Sequence, residues 1–266
     1  MLHPMAEPDR HPLGAALTPG TAAFGTDGIR GRVGQLITPV LALQLGYWCG
    51  RELPEGGPVI LGMDSRSSGP MLVAALAAGL TAAGREVLDL GLCPTPAVPG
   101  AIRQLGASGG LMVSASHNPP HDNGIKVFGA CGAKLGKAQQ AAIEAGLHGG
   151  DASAGFCGDG RLQARQDLLA DYQQRLLESV SGRRLDGCRI VLDLCWGSAT
   201  SCGEAVFRAL GADLSVLHGQ PDGRRINQGC GSTHLEPLRA AVLEQGASMG
   251  FCLLYTSDAA DEGLGV

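Results

Sequence analysis

The stretch PVILGMDSRSSGPMLVAALAAGLTAAGREVLDL, residues 58–90, decides the fold class of this 266-residue chain. Its first six residues form a largely apolar run that predicts a buried strand ending at Asp64. A helix then opens at residues 68–70 and ends at Gly84, with an apolar residue at every fourth position: Leu72, Leu76 and Leu80. A second apolar run follows at residues 87–90. A strand, a helix and a strand in this order predict a parallel βαβ unit.

The same alternation continues on both sides of this unit. Helices are predicted from Pro39 to about Leu53 and at residues 95–105, and a strand at residues 111–113 has residues 125–128 as its expected partner. Residues 149–160 are rich in Gly, Asp and Ser and interrupt the pattern. Beyond them the sequence predicts a helix at 162–179, strands at 188–194, 213–217 and 247–251, and two helix-opening capping boxes, Ser201/Glu204 and Thr233/Glu236.

We therefore predict two consecutive, mostly parallel α/β sandwich domains, the second one incomplete. The predicted divisions are a flexible N-terminal extension at residues 1–20, a first domain at 21–150, a partial second domain at 160–251 and a tail at 252–266. The tail, which begins CLLYTSDAADE, does not continue the alternation of predicted strands and helices. It reads like the in-frame translation of a transposase adapter used in sequencing libraries. We predict that the native sequence ends at about Phe251; the alternative is a natural short C-terminus.

Composition excludes several classes of protein. The 20 basic and 25 acidic side chains give a net charge of -5 with no basic run, so neither nucleic acid nor a membrane is a predicted partner. The 18 uncharged residues from Ser67 to Gly84 favour a buried helix over a membrane span. The nine cysteines form no C-x-x-C pair, which predicts reduced core residues in a cytoplasmic protein. Histidines and cysteines show no zinc-ligand spacing.

Reactive side chains concentrate in SASHNPPHDNGIK, residues 114–126. The segment begins where a predicted buried strand ends, which is the edge at which open α/β sheets bind ligands. A serine there serves as a nucleophile or as a phosphoryl carrier stabilised by nearby cations. The alternative is a polar turn whose side chains only satisfy backbone groups.

A second candidate is FGTDGIRG, residues 24–31, in which three glycines allow close backbone approach and Arg30 offers a fork for an anion. Alone, it also fits a glycine-rich entry loop with a solvated arginine. No complete dinucleotide-binding glycine motif or phosphate-binding P-loop is present, and no G-x-S-x-G elbow surrounds Ser116. Because adjacent side chains on extended backbone point apart, a hydrolase pair formed by Ser116 and His117 is disfavoured.

These two segments strongly resemble the α-D-phosphohexomutase superfamily. The segment INQGCGSTHLEPL, residues 226–238, resembles its glucosamine-phosphate branch, and PTPAV, residues 94–98, also fits. The resemblance runs in order from about Phe24 to Phe251. It implies that Ser116 is the phosphorylated serine, that His117 and Lys126 are catalytic, and that Arg30 faces the substrate phosphate.

The resemblance further implies an enzyme that interconverts glucosamine 6-phosphate and glucosamine 1-phosphate through a phosphoserine and a bisphosphate intermediate. The implied cofactor is Mg²⁺, with Ser116 as a ligand through its phosphate. The implied activator is a hexosamine 1,6-bisphosphate or glucose 1,6-bisphosphate, and the implied partner is a small-molecule sugar phosphate.

One departure from the family is large. Its aspartate-rich metal loop is expected directly after residues 246–251, where the tail stands instead, and Asp258 and Asp261 do not reproduce its spacing. The later sugar- and phosphate-binding domains are also absent, so the chain as given is predicted to be inactive. The alternatives are a mutase of mannose or glucose phosphates and a non-catalytic sugar-phosphate-binding module.

Overall fold

The computed structural model describes residues 15–17, 24–25, 28–150 and 159–254. The elements up to residue 164 are β1 (Ile29–Arg32), α1 (Pro39–Glu52), β2 (Val59–Met63), α2 (Gly69–Ala82), β3 (Glu86–Leu92), α3 (Ala97–Leu105), β4 (Gly109–Val113), β5 (Asp122–Gly129), α4 (Lys137–Leu147) and β6 (Arg161–Ala164). They are followed by α5 (Leu168–Ser179), β7 (Arg189–Asp193), a 3-10 turn (Ser198–Ser201), α6 (Gly203–Ala209), β8 (Asp213–Leu217), α7 (Glu236–Glu244) and β9 (Met249–Cys252). Most of the predicted extension and residues 255–266 of the predicted tail lie outside the described residues.

The first sheet has six strands in the order β1-β5-β4-β2-β3-β6. The four neighbouring strands β4, β2, β3 and β6 are parallel to one another. Strand β5 pairs antiparallel with both β4 and β1. The second sheet contains three parallel strands in the order β8-β7-β9. The predicted α/β class is confirmed, with a mixed first sheet and a small parallel second one.

Both faces of the first sheet are covered by helices. Residues of α1, α2 and α4 pack on one face, in a core that includes Leu45, Leu76 and Ile143. Residues of α3 and α5 pack on the other face, where Ile102 and Tyr172 are buried. This two-sided burial explains why β2 and β4 read as continuous apolar runs rather than alternating ones.

Some local predictions are wrong. The segment predicted to begin a helix near Leu162 forms β6, which pairs with β3, and the helix begins only at Leu168. Neither predicted capping box forms, since Ser201 Oγ donates to the Ser198 carbonyl and Thr233 Oγ1 lies against the His234 ring. Propensity at a helix start is weak evidence when tertiary contacts fix how the chain enters the helix.

The cysteine prediction holds for part of the set. Cys49, Cys93, Cys195, Cys202 and Cys230 are buried free thiols, while Cys131 is exposed and Cys188 and Cys252 are partly buried. Within the described ranges, no helix is both long and apolar enough to cross a membrane. The run from Ser67 to Gly84 instead supplies α2, a buried helix of the first sheet.

Helices α1 and α2 approach each other through glycines. A Cβ on Gly79 of α2 would lie 2.0 Å from the Leu43 carbonyl oxygen, and one on Gly46 of α1 would lie 2.3 Å from the Leu76 carbonyl oxygen. Such distances are far inside van der Waals contact, so only glycine permits this spacing of the two backbones.

We therefore expect Gly79→Ala to destabilise the protein by about 1–3 kcal/mol, because the methyl group forces the helices apart. This is opposite in sign to the ~1 kcal/mol gain of alanine over glycine in an exposed helix. Urea unfolding measures the difference. Gly136→Ala is the matched control, since Gly136 has an ordinary negative φ and no atom within 4 Å of the added Cβ. A Gly79→Ala protein as stable as this control would contradict the packing argument.

Candidate active site

The segment that carries Ser116 leaves the sheet at the carboxyl end of β4 and returns as β5. The β2, β3 and β4 strands are parallel, so their carboxyl ends share this edge. In the loop, the Ser114 amide donates to the Gly124 carbonyl oxygen at 2.9 Å and the Asn118 amide to the Ala115 carbonyl oxygen at 3.1 Å. The loop therefore stands at the ligand-binding edge that the sequence predicts.

Ser116 has a left-handed backbone conformation with φ 57°. Its amide donates to Ser114 Oγ at 3.1 Å, and the residue is only 2% exposed. An L-residue in this region costs about 1–2 kcal/mol relative to a right-handed conformation. A glycine would avoid that cost, so contacts from the surrounding structure must hold the serine in this conformation.

The Arg66 side chain stabilises this conformation through hydrogen bonds to the backbone. We call residues 114–122, which connect β4 to the start of β5, the serine loop. The Arg66 guanidinium is fully buried and donates to four carbonyl oxygens of this loop: those of Ser116, Asn118, Pro119 and Asp122. The distances to the Ser116 and Asn118 oxygens are 2.9 and 2.8 Å. Because a guanidinium carries its donors in one plane, a single side chain satisfies four inward-facing oxygens of one loop.

Asp64 in turn anchors Arg66. Its Oδ2 accepts from Arg66 Nε at 3.1 Å and its Oδ1 accepts from the Arg66 amide at 2.9 Å. Burial raises the pKa of the Asp64 carboxyl above its usual value, although the guanidinium and the hydrogen bonds lower it. We assign Asp64 the ionised form, because Arg66 is buried beside it and needs a counter-charge.

A residue of the second sheet's connections reaches the same loop. Asn227 Nδ2 donates to the Ser116 carbonyl oxygen at 2.9 Å and to the Asn118 carbonyl oxygen at 3.1 Å. Close by, Ser65 Oγ donates to the Trp196 carbonyl oxygen at 2.6 Å. Connections of the second sheet therefore contact the first domain at Ser65, next to Arg66, and at the serine loop.

His117 lies beside the serine hydroxyl, with Nδ1 3.4 Å from Ser116 Oγ. The prediction that these two side chains point apart is wrong, because it assumed extended backbone at Ser116. The left-handed turn rotates the two side chains to the same side of the loop. At 3.4 Å the pair is at the long end of hydrogen-bond distance, which a bound substrate can shorten.

Lys126 and Arg30 occupy neighbouring strands. Lys126 is buried within β5, paired with Met112, and lines a small cleft with Gly28 and Lys134. Arg30 on β1 pairs with Gly124, and its stem lies so close that a Cβ on Gly124 would be 2.9 Å from Arg30 Cγ. Thr26 and Asp27 of the glycine-rich segment lie outside the described residues.

Sequence reasoning missed Asp64, Arg66 and Asn227. The available signal was position: Asp64 and Arg66 directly follow a predicted buried strand, where polar residues meet the ligand edge. Asn227 lies in the segment that carries the family resemblance, but its contact with Ser116 spans 111 residues of sequence.

The described residues near Ser116 do not fit a magnesium site. In the described ranges, the one group of three or more His, Cys, Asp or Glu ligand atoms close enough to hold an ion is Asp193, Cys195 and Cys230. Magnesium prefers an octahedron of oxygen ligands, and two thiols are poor substitutes. The predicted magnesium role of the Ser116 phosphate therefore receives no support from this chain's own ligands.

Comparison with known proteins shows which family this chain resembles. A family model described as phosphoglucomutase/phosphomannomutase, alpha/beta/alpha domain I, matches residues 21–153. The chain is 68% identical over 248 residues to a phosphoglucosamine mutase of Synechococcus sp. (strain WH7803), covering 93% of this chain and 54% of that relative. It is 67% identical over 246 residues to one of Prochlorococcus marinus (strain MIT 9313), covering 90% and 52%. The chain thus spans about half the length of the curated relatives it matches.

Solved structures show the same architecture. A phosphoglucomutase/phosphomannomutase family protein from Burkholderia thailandensis superposes with a TM-score of 0.75 at 29% identity, over 86% of this chain and 52% of that one. A putative phosphomannomutase from Thermus thermophilus gives 0.72 at 25% identity, over 86% and 53%.

The fold and the family-model match together define a domain of the phosphohexomutase class. The chain belongs to the phosphoglucomutase/phosphomannomutase family, and the curated relatives named above are phosphoglucosamine mutases. The resemblance inferred from residues 24–31, 114–126 and 226–238 is therefore confirmed.

We expect Arg66→Lys to destabilise the protein by about 2–3 kcal/mol, because an ammonium group cannot satisfy the four carbonyl oxygens that the fork holds. Arg66→Met should cost more, about 3–5 kcal/mol, since it also leaves Asp64 without its counter-charge. Urea unfolding gives the stabilities, and amide exchange at residues 114–124 reports loosening of the loop. Arg165→Lys, in an exposed ion pair with Asp167, is the control and should change little. Equal stability of Arg66→Lys and this control would refute the conclusion that the Arg66 guanidinium holds the serine loop.

We expect Ser116→Gly to be more stable than Ser116→Ala by about 0.5–1 kcal/mol, because glycine avoids the left-handed cost of about 1–2 kcal/mol but loses more backbone entropy on folding. Both variants remove the hydroxyl, so the comparison isolates the backbone. Thermal or urea unfolding of the two proteins measures it. If alanine were the more stable replacement, Ser116 would not be strained in solution.

Proposed function

We propose that this chain is the phosphoserine-bearing part of a phosphoglucosamine mutase, which interconverts glucosamine 6-phosphate and glucosamine 1-phosphate. The observation that carries the proposal is Ser116 itself. Its strained backbone is held by Arg66 and Asn227 at the sheet's carboxyl edge, with its hydroxyl beside His117. The 67–68% identity to phosphoglucosamine mutases supports the choice of sugar over mannose or glucose phosphates.

In this proposal, Ser116 Oγ carries the phosphoryl group in the resting enzyme. A sugar-phosphate hydroxyl attacks the phosphorus; the bond from phosphorus to Oγ breaks as the bond to the sugar oxygen forms. The product is a hexosamine 1,6-bisphosphate, which then returns its other phosphoryl group to Ser116 Oγ. Glucose 1,6-bisphosphate or the hexosamine bisphosphate is the proposed activator, because either can phosphorylate a bare serine.

Proton movement is assigned to the two basic side chains of the segment. The attacking hydroxyl must lose a proton, and His117 or Lys126 is the proposed acceptor. His117 Nδ1 lies 3.4 Å from Ser116 Oγ, and Lys126 is buried within β5. On the return step the same group gives the proton back to the sugar oxygen that releases its phosphoryl group.

Arg30 and Lys126 are the proposed cationic partners of the substrate phosphates. Phosphoryl transfer relies chiefly on positioning and on neutralising negative charge. A guanidinium binds phosphate through two parallel hydrogen bonds, which suits Arg30 at the rim beside Gly124. The remaining parts of the site are proposed to come from the half of the relatives' length that this chain does not span.

A chimera tests the assignment. Residues 24–251 replace the matching segment of the Synechococcus sp. (strain WH7803) relative, and conversion of glucosamine 6-phosphate is measured. We expect the chimera to be active and its Ser116→Ala variant to lose at least about 10³-fold in rate, because no other oxygen can accept the phosphoryl group. Intact-mass spectrometry after incubation with glucose 1,6-bisphosphate should show one added phosphoryl group only when Ser116 is present.

The matched control is Ser179→Ala in the same chimera, since Ser179 lies at the exposed end of α5 and donates to the Leu176 carbonyl oxygen within its own helix. It should keep full activity. A Ser116→Ala chimera that turns over near the control rate would overturn the carrier role. A folded chimera that becomes phosphorylated on Ser116 but stays inactive would show that this segment cannot work with the sugar-binding domains of a phosphoglucosamine mutase, and would overturn its assignment to that enzyme.

A further inference from the structure

A second cluster of reactive side chains stands apart from the serine loop. Asp193 ends β7, Cys195 follows two residues later, and Cys230 comes from the long connection between β8 and α7. All three are buried, with Asp193, Cys195 and Cys230 each 0% exposed. One carboxylate oxygen and the two Sγ atoms lie within 4.8 Å of one another.

The two Asp193 oxygens differ in their surroundings. Oδ1 is 2.8 Å from His218 Nδ1 and accepts from the Cys195 amide at 2.9 Å. Oδ2 is fully buried and has no hydrogen-bond partner among the described residues. A buried carboxylate oxygen without a donor is costly, because it has lost its water and gained nothing in exchange. A cation bound at Oδ2 removes that cost.

The ligand types select the class of cation. Two thiols and one carboxylate suit a borderline-soft divalent ion such as Zn²⁺ and do not suit Mg²⁺ or Ca²⁺. Three atoms within 4.8 Å of one another leave a point at most about 2.8 Å from all three. Zinc–sulfur bonds of about 2.3 Å therefore need only a contraction of a few tenths of an ångström.

We propose that Asp193, Cys195 and Cys230 bind a zinc-like divalent cation. The hydrogen bond from His218 holds the Asp193 carboxylate in place, as groups around metal ligands commonly do. The Cys195 backbone is fixed by the same carboxylate in a left-handed conformation, φ 54°. Sequence spacing carries no sign of zinc, because residues 193–195 and 230 meet only through the fold.

The site's place suggests what the cation does. Cys230 lies three residues after Asn227, whose side chain donates to the Ser116 carbonyl oxygen. A cation bound both to Cys230 and to the end of β7 would restrict the movement of residues 227–230, whose Asn227 donates to the serine loop. The proposed ion is thus a structural brace, distinct from any ion that neutralises phosphate.

Cys252 is not part of the proposed ligand set. Its Sγ lies 3.5 Å from Cys195 Sγ, but it falls in the tail predicted at residues 252–266. The proposal rests on the three ligands that precede this tail. A Cys252→Ser variant tests that choice directly.

Cobalt titration provides the experiment. Reduced, metal-free protein receives Co²⁺, whose thiolate complexes absorb in the near ultraviolet and, when tetrahedral, in the visible. We expect a saturating signal at one equivalent, loss of the signal in Cys195→Ser and in Cys230→Ser, and at least about tenfold weaker binding in Asp193→Asn. Cys131→Ser, an exposed thiol outside the cluster, and Cys252→Ser should bind like the unaltered protein.

A second measurement covers variants that fail to fold. In the unaltered protein, one equivalent of Zn²⁺ should protect Cys195 and Cys230 from iodoacetamide under mild denaturant while Cys131 reacts at its usual rate, as peptide mass spectrometry would show. The proposal is overturned if the unaltered protein gives no thiolate–cobalt signal at one equivalent. It is equally overturned if the signal survives in both Cys195→Ser and Cys230→Ser.

Discussion

The buried guanidinium of Arg66 is the constraint on which the serine loop depends. A loop that leaves a sheet and turns back within eight residues directs several carbonyl oxygens inward, and such oxygens need hydrogen-bond donors. Arg66 supplies donors to four of them, and Asp64 fixes the fork from the opposite side. The left-handed turn at Ser116 brings its hydroxyl beside His117, and the hydrogen bonds from Arg66 hold the backbone in that conformation. A lysine or a water cluster has neither the number of donors nor the planar geometry to replace it.

The second sheet completes this arrangement rather than merely following it in sequence. Asn227 adds a second donor to two of the oxygens that Arg66 already holds, and the Trp196 carbonyl oxygen receives the Ser65 hydroxyl beside the Arg66 turn. A Cβ on Gly223 would lie 2.3 Å from both the Ser65 carbonyl oxygen and the Ser67 amide nitrogen, so the two backbones touch there. Movement of the second sheet's connections therefore reaches the serine backbone directly, through the hydrogen bonds of the Asn227 side chain.

Much of the fold was predictable because strands that are buried on both faces consist of continuous apolar runs, as in residues 58–90. The serine segment was predictable as a candidate site because polar residues at the end of a buried strand lie at the edge where open α/β sheets bind ligands. Arg66 was not predictable in its role, since the four oxygens it satisfies belong to a loop some 50 residues away and leave no mark on its neighbours. The Ser116–His117 contact was missed for a related reason: only tertiary hydrogen bonds impose a left-handed backbone on a residue that does not prefer it.

The same reasoning extends to the second ligand cluster, where strain and unsatisfied groups again coincide. Four residues there have positive φ although none is glycine: Cys195, Trp196, His218 and Asn227. Their loops surround the Asp193 carboxylate, which contacts two of them through Oδ1 and leaves Oδ2 buried without a donor. Strained backbone persists only where surrounding contacts over-determine it. At Ser116 those contacts are visible as the Arg66 fork, whereas around Asp193 the hydrogen bonds account for one oxygen alone. A cation at Oδ2 would supply the contact that is still missing there, as the guanidinium of Arg66 does at the serine loop.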